Sequence, residues 1–110
     1  GHVDFALRDA QVHFLPTQGT ASRGSARNGW LSIDFGSRKF DTGLTLSHQA
    51  ASTTQLSAAG TIDRTGTFLY NNRSDTRLSG GVTMDGQEAG YTFVRDVANG
   101  SYVGITRWMR

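Results

Sequence analysis

The chain has 110 residues, with 14 glycines, one proline and no cysteine. The lack of cysteine excludes disulfide bonds and thiolate metal sites. Eleven cationic side chains against nine acidic ones give a net charge of +2. The two signs alternate along the sequence and do not gather into the basic stripe that is typical of nucleic-acid-binding domains. We therefore expect a single domain, residues 1–110, with no nucleic-acid partner.

The composition favours strands over helices. Glycine, serine and threonine are abundant and Lys39 is the only lysine, whereas helices prefer alanine, leucine, glutamate and lysine. No window approaches the roughly 20 apolar residues of a membrane helix, so we expect no direct insertion of this domain into a membrane. The opening Gly1-His2 is typical of a cloning remnant, and we expect the chain to be a module excised from a longer protein.

The first half of the chain alternates between apolar and polar residues. Val3 to Leu7 keep one parity and Ala10 to Phe14 keep the opposite one, so the shift at Arg8-Asp9 predicts a β-bulge. A loop is predicted over Thr17–Gly29. Alternation then resumes in two strands joined by a hairpin at Gly36-Ser37. A further loop is predicted over Gln49–Gln55, with a helical turn as the alternative. The apolar positions of these two strands are Leu31, Ile33, Phe35, Phe40, Leu44 and Leu46.

The second half repeats this rhythm at short intervals. A strand ends at the turn Asp63–Gly66, a short strand covers Thr67–Tyr70, and Asp85-Gly86 predicts a two-residue type I′ turn. Asn99-Gly100 predicts the last turn. Within each of these strands, alternate positions are expected to share one face: Leu56, Ala58, Gly60 and Ile62; Leu78, Gly80, Val82 and Met84; Ala89, Tyr91 and Phe93; and Tyr102, Gly104, Thr106 and Trp108.

This spacing yields about eight strands with short connections, which forces neighbouring strands to run antiparallel. We predict an all-β, eight-stranded antiparallel up-and-down β-barrel, because closure removes exposed sheet edges. Glycines inside the strands suit the bending that closure requires. A two-sheet sandwich is the alternative. The aromatic side chains, Trp30 and Phe35 among them, are expected to fill the interior.

Several short motifs between residues 30 and 95 follow one another in a characteristic order. They are Trp30-Leu31-Ser32-Ile33-Asp34-Phe35, Gly60-Thr61-Ile62, Gly66-Thr67-Phe68, Gly80-Gly81-Val82 and Gln87-Glu88-Ala89-Gly90-Tyr91-Thr92-Phe93. This order resembles the C-terminal barrel of bacterial surface lipoproteins of the transferrin-binding protein B and factor H-binding protein type. Similar barrels form the tail of FecR-like sensor proteins. The resemblance implies a non-enzymatic binding module in the bacterial cell envelope, periplasmic or at the cell surface.

The sequence contains no motif that indicates catalysis or ligand binding. His13 and His48 show no metal-ligand spacing, and most acidic residues fall at predicted turns, where aspartate bonds locally. Ser47 and His48 are adjacent, so a strand sends their side chains to opposite faces. We therefore predict no enzyme activity, no cofactor and no metal site.

Aromatic and arginine side chains offer a candidate contact surface. Tyr70 and Tyr102 are predicted to be the exposed tyrosines, and Arg23 and Arg27 form the only local basic excess. This combination is typical of interface hot spots. We expect a protein partner that binds there, in surface ligand capture or in transmembrane signalling. The alternative function is a small-ligand carrier of the lipocalin or avidin type, although large inward aromatics leave little lumen for a small molecule.

Overall fold

A computed structural model describes all 110 residues and contains strands and turns but no helix. No segment therefore forms a helix that is long and apolar enough to cross a bilayer. The strands are β1 (His2–Pro16), β2 (Ser22–Arg23), β3 (Ser25–Asp34), β4 (Lys39–His48), β5 (Ala51–Thr61), β6 (Thr67–Asn71), β7 (Thr76–Val82), β8 (Glu88–Val97) and β9 (Gly100–Met109).

Eight of these strands form one antiparallel sheet in the order β5-β4-β3-β1-β9-β8-β7-β6. Sequence neighbours along this path pair with each other except β5 and β6, which lie at its two ends, and β1 pairs with β9, which brings the first and last strands together. The short β2 adds to the end of β1 through His13 and Phe14. The predicted up-and-down barrel is confirmed, as a flattened cylinder with principal extents of 44 × 27 × 18 Å.

The first strand carries the predicted bulge. Leu7 faces Trp108 and Asp9 faces Arg107, so Arg8 is the extra residue. The first residues of β1, Val3 and Phe5 among them, pair with β3, and pairing with β9 runs from Ala6, just before the bulge, to Pro16. The bulge keeps apolar residues of both parities on the inner face, because the unpaired residue reverses the alternation.

Three predicted connections are wrong in length. The loop over Thr17–Gly29 is interrupted by β2 and by the start of β3, and the loop over Gln49–Gln55 shrinks to the turn before Ala51. Segments of Ser, Thr and Ala adopt strand conformation when a neighbouring strand provides backbone hydrogen bonds. The turn at Asp85-Gly86 is also longer than two residues, because β7 ends at Val82 and β8 begins at Glu88. Met84, predicted to share a face with Leu78 and Val82, lies in this longer turn and is exposed.

The interior is an aromatic core. Tyr91 stacks on Trp108 with ring centroids 5.7 Å apart, and Phe68 packs against both Tyr91 and Phe40. Trp30 and Phe35 are the exceptions to the prediction, with 46% and 40% of their surface exposed. Trp30 directly precedes the inward residue Leu31 on β3, so strand alternation places Trp30 on the outer face. There its indole covers Gly43 of the adjacent strand.

The barrel has one incomplete seam, between β5 and β6. Only the bridge between Ile62 and Phe68 joins these strands. Nearer the start of β5, two inward side chains from β8 and β9 on the opposite wall reach the backbone of β5. Arg95 Nε donates to the carbonyl of Gln55 at 3.1 Å, and Tyr102 Oη donates to that of Ser52 at 3.0 Å. Side chains therefore close this part of the seam in place of a ladder.

Candidate functional site

One residue of the predicted contact surface, Tyr102, points into the barrel. Tyr102 is fully buried, so the prediction that it is exposed is wrong. It shares the inward parity of Trp108 on β9, and its hydroxyl reaches the far wall. Burial also raises the pKa of the Tyr102 phenol above its ordinary value. Tyr102 therefore serves the core and is not available to a partner.

The other three residues of that surface lie on three different strands. Tyr70 is half-buried and packs against the core. Arg23 lies on β2 opposite His13, whereas Arg27 lies on β3 and donates from Nη1 to Ser47 Oγ at 3.0 Å. Both arginines are exposed, but neither has an exposed tyrosine from the predicted set beside it.

Polar groups inside the barrel are satisfied by one another. Tyr91 Oη lies 2.9 Å from Thr42 Oγ1, and Trp108 Nε1 donates to Thr106 Oγ1 at 2.7 Å. Every buried side-chain nitrogen and oxygen has a hydrogen-bond partner. Burial raises the pKa of Tyr91 far above its ordinary value, so this phenol stays neutral at physiological pH.

His48 forms a contact that the sequence did not reveal. Its Nε2 lies 2.6 Å from Ser22 Oγ, and its Nδ1 accepts the backbone N–H of Ala50. An Nδ1 that accepts a hydrogen bond places the proton of the neutral ring on Nε2, which then donates to Ser22. A serine nucleophile needs the reverse, a free Nε2 lone pair that accepts the hydroxyl proton. This pair therefore anchors the loop before β3, where the ring also packs on Phe14.

The acidic side chains are held in turns, as the sequence predicted for several of them. Asp63 Oδ1 accepts hydrogen bonds from Thr65 and Thr67, and these donors lower the pKa of that carboxyl. Asp85 behaves alike, with Thr83 and then Gln87 lowering its pKa. No three histidine or acidic side chains lie close enough together to hold a metal ion.

The outer face of the barrel carries a groove along β7 and β8, which we call the β7–β8 groove. Its floor consists of four small outward residues, paired across the two strands as Ser79 with Thr92 and Gly81 with Gly90. Larger side chains border it, Leu69 on β6 beside Ser79 and Ile105 on β9 beside Thr92. The depression above Ser79 and Thr92 has a volume of about 360 Å³.

The walls of the β7–β8 groove are apolar and exposed. Leu69 exposes 69% of its surface and Ile105 54%. The aliphatic surface continues from Ile105 to Val103 and Val94, which are cross-strand partners. Soluble proteins scatter single apolar residues on their surfaces, but a contiguous patch marks an interaction site. The β7–β8 groove is therefore the best-defined candidate site.

Ion pairs stand at both ends of the groove. Arg77 pairs with Asp96 at 3.2 Å near one end, and Arg107 pairs with Glu88 at 3.2 Å near the other. An apolar centre with a polar rim is the usual anatomy of a protein interface. The alternation of β9 had already put Ile105 on the outer face. The sequence did not show that Leu69 lies near it, because the two residues are on different strands.

Comparisons of the chain with models of known protein families, with curated proteins and with solved structures found no match. The resemblance to transferrin-binding protein B-type barrels therefore stays a prediction.

Proposed function

We propose that this chain is a non-enzymatic protein-binding module that engages its partner through the β7–β8 groove. This proposal rests on the contrast between the two faces of the sheet. The inner face is filled by stacked aromatic rings, whereas the outer face displays Leu69 and Ile105 to solvent. Binding a partner removes those two side chains from water, which is favourable by about 25 cal/mol per Å² of apolar surface.

The form of the groove favours a protein over a small molecule. It is open and shallow, with a floor of Ser79, Gly81, Gly90 and Thr92, while small-molecule sites enclose most of the ligand surface. The backbone beneath the floor is already paired within the sheet. A partner would thus be recognised by apolar side chains that lie between Leu69 and Ile105, with Arg77 and Arg107 available at the rim.

The alternative function, a lipocalin- or avidin-type carrier, requires an open lumen. Trp108, Tyr91 and Phe68 occupy the middle of this barrel, and an eight-stranded barrel has little room beyond its own side chains. This packing favours the interaction module. For the same reason we propose no cofactor.

The cellular setting follows from the resemblance alone. Motifs such as Gly66-Thr67-Phe68 and Glu88-Ala89-Gly90-Tyr91 resemble barrels of bacterial envelope proteins. We place the chain in the envelope, either periplasmic or at the cell surface, where such a module captures a ligand protein or takes part in transmembrane signalling.

A site-specific photo-crosslinker distinguishes binding through the groove from binding elsewhere. It is introduced at Thr92, in the groove, and at Ser32, an outward position of β3 on the other side of the barrel. In bacterial cells that produce this protein, we expect Thr92 to yield a discrete protein adduct and Ser32 to yield none. Denaturing gels and mass spectrometry identify the adduct.

A pair of matched substitutions tests the wall of the groove. Leu69→Glu should abolish the Thr92 adduct, because a carboxylate at the apolar wall is costly to desolvate. Leu15→Glu, at an exposed position of β1 outside the groove, should leave the adduct unchanged. Equal adducts at Thr92 and Ser32, or loss of the adduct in both leucine variants, would rule out the groove as the binding site.

A further inference from the structure

Trp30 is a large aromatic side chain held on the outer wall of the barrel. It projects from β3 away from the core and exposes 46% of its surface. Its indole crosses Gly43 on β4, where a Cβ atom would stand 2.7 Å from Nε1 and 2.8 Å from Cε2. Gly43 therefore seats the ring against the sheet, and the part of the ring that faces away from the sheet is open to solvent.

The outward positions of β3, β4 and β5 around this ring, which we call the Trp30 face, carry polar or small side chains. Gly43 lies opposite Ser57 on β5. The next outward positions are Asp41 on β4 and Gln55 on β5, each about 7 Å along its strand. Ser57, Asp41 and Gln55 are all exposed. Hydroxyl, carboxylate and amide groups therefore surround the single aromatic ring.

A depression of about 500 Å³ extends from the Trp30 face along the same strands. Asp34, Lys39 and Asp41 line it, and Ala59 contributes to its floor. Asp34 accepts the backbone N–H of Ser37. Asp41 takes part in none of the ion pairs of the protein, so its carboxylate is available to a ligand.

We propose that the Trp30 face and the adjoining depression bind a neutral oligosaccharide. A pyranose ring has a face of C–H groups, which packs on an aromatic ring, and a rim of hydroxyl groups, which bonds to carboxylates, amides and hydroxyls. Trp30 supplies the aromatic surface. Asp41 accepts hydroxyl hydrogens, and Ser57 can donate or accept.

The side chains of the Trp30 face favour a saccharide over other ligands. A protein interface has an apolar centre built from several side chains, whereas Trp30 is the only large apolar residue among the outward positions of these three strands. A nucleic acid or a sulfated glycan is repelled at the depression, where Asp34 and Asp41 outnumber Lys39. An uncharged polyhydroxylated ligand meets neither obstacle.

Affinity electrophoresis tests the proposal on the intact chain. Native gels contain a soluble neutral polysaccharide, namely β-glucan, mannan or galactan, or heparin as a sulfated comparison. We expect at least one neutral polysaccharide to retard the protein. Mobility over a series of polysaccharide concentrations gives the dissociation constant, which Trp30→Ala should raise about tenfold or more. Asp41→Asn, which keeps the size of the side chain, should also weaken binding.

Two control variants should bind the polysaccharide as the unmodified chain does. Phe35→Ala removes an aromatic side chain that is 40% exposed and lies outside the Trp30 face. Leu69→Glu alters the β7–β8 groove, where it should abolish protein capture. Since the two sites lie on different strands, saccharide binding goes beyond the proposed function, and failure of one proposal leaves the other standing.

Nuclear magnetic resonance of the unmodified chain supplies a measurement that does not depend on the folding of a variant. The protein has two indole N–H signals, and that of Trp108 comes from a buried group bonded to Thr106. Adding a hexasaccharide of the polysaccharide that retards the protein should shift the Trp30 signal and leave the Trp108 signal in place. An unmoved Trp30 signal would overturn the proposal. Retardation by heparin alone or by no polysaccharide, or equal retardation of Trp30→Ala, would overturn it as well.

Discussion

The ring of Phe93 lies against the backbone of Gly104, its cross-strand partner on β9. A Cβ atom at residue 104 would stand 2.7 Å from two ring carbons of Phe93 and equally close to the carbonyl oxygen of Gln11. Real Cβ atoms do not approach other atoms so closely. The missing side chain of Gly104 thus provides the space that the ring fills.

The same relationship recurs around the barrel. In each case an aromatic residue faces a glycine on the adjacent strand, and a side chain at the glycine would collide with the ring or press against it. The other pairs are Trp30 with Gly43, Phe40 with Gly60, and Phe68 with Gly80. Inside the barrel, the glycines therefore leave space for the rings of Phe40, Phe68 and Phe93. Gly43 does the same for Trp30 on the outer face.

Gly104→Ala should destabilise the protein by about 2 kcal/mol, because an added methyl group overpacks the core and displaces the Phe93 ring. Urea unfolding, followed by circular dichroism, measures the free energy of unfolding. Gly81→Ala is the matched control, since its nearest neighbour would lie 3.4 Å from the new Cβ. Equal effects of the two substitutions would contradict the packing described for Phe93.

Arg95→Met should also lower the free energy of unfolding by about 2 kcal/mol, the usual range for losing hydrogen bonds to a charged group. Arg95 bonds to the Gln55 carbonyl and pairs with Asp75, and its side chain is only 21% exposed. Arg77→Met removes an exposed ion pair with Asp96 and should cost less than about 1 kcal/mol. A smaller loss for Arg95 than for Arg77 would mean that Arg95 does not hold the seam closed.

The two tryptophans should report opposite environments. Trp30→Phe leaves only the buried Trp108, and its emission should lie at shorter wavelength and resist quenching by acrylamide. Trp108→Phe leaves the half-exposed Trp30, whose emission should be red-shifted and readily quenched. Similar quenching in both variants would indicate that solvent enters the barrel, and would revive the carrier function.

The aspartates in turns should make stability depend on pH in acid. The hydroxyl of Thr65 and the amide of Thr67 hold the pKa of Asp63 below its ordinary value of 3.8. A pKa lowered in the folded state stabilises the protein above the unfolded value, and this contribution disappears as the pH falls through the folded value. Urea midpoints measured from neutral pH to about pH 2 should therefore decline below about pH 4.

Asp63→Asn provides the control for that titration. Asparagine retains an oxygen acceptor in the turn but has no charge to lose. The variant should be less stable than the wild type at neutral pH, and the difference should shrink as the pH falls below 3.8, the ordinary value for this carboxyl. A difference that stays constant over this range would show that Asp63 does not contribute through its charge.

Much of the fold was predictable from local patterns. Alternation placed Leu56, Ala58 and Ile62 on one face, and the phase shift at Arg8-Asp9 located the bulge on β1. Turn residues marked most of the connections. These features depend on residues close together in the chain, so the period of two and the turn chemistry suffice to predict them.

The candidate site was not predictable, because it depends on which residues face each other across strands. Tyr102 shares its parity with the core residue Trp108, and its burial follows from closure of the barrel. Leu69 and Ile105 are 36 residues apart in the printed sequence and form one groove only because the residues between them on the sheet are Ser79 and Thr92.

The amino-acid sequence by itself determined that this chain forms antiparallel strands with one apolar face, since side-chain alternation and turn residues act locally. The tertiary structure alone decided the register, which seats Phe93 on Gly104 and opposes Ser79 to Thr92. It also decided that Arg95 on β8 reaches the Gln55 carbonyl at the seam beside β5, where no ladder forms. Contacts between distant residues depend on how the sheet twists and closes, and no single segment of sequence carries that information.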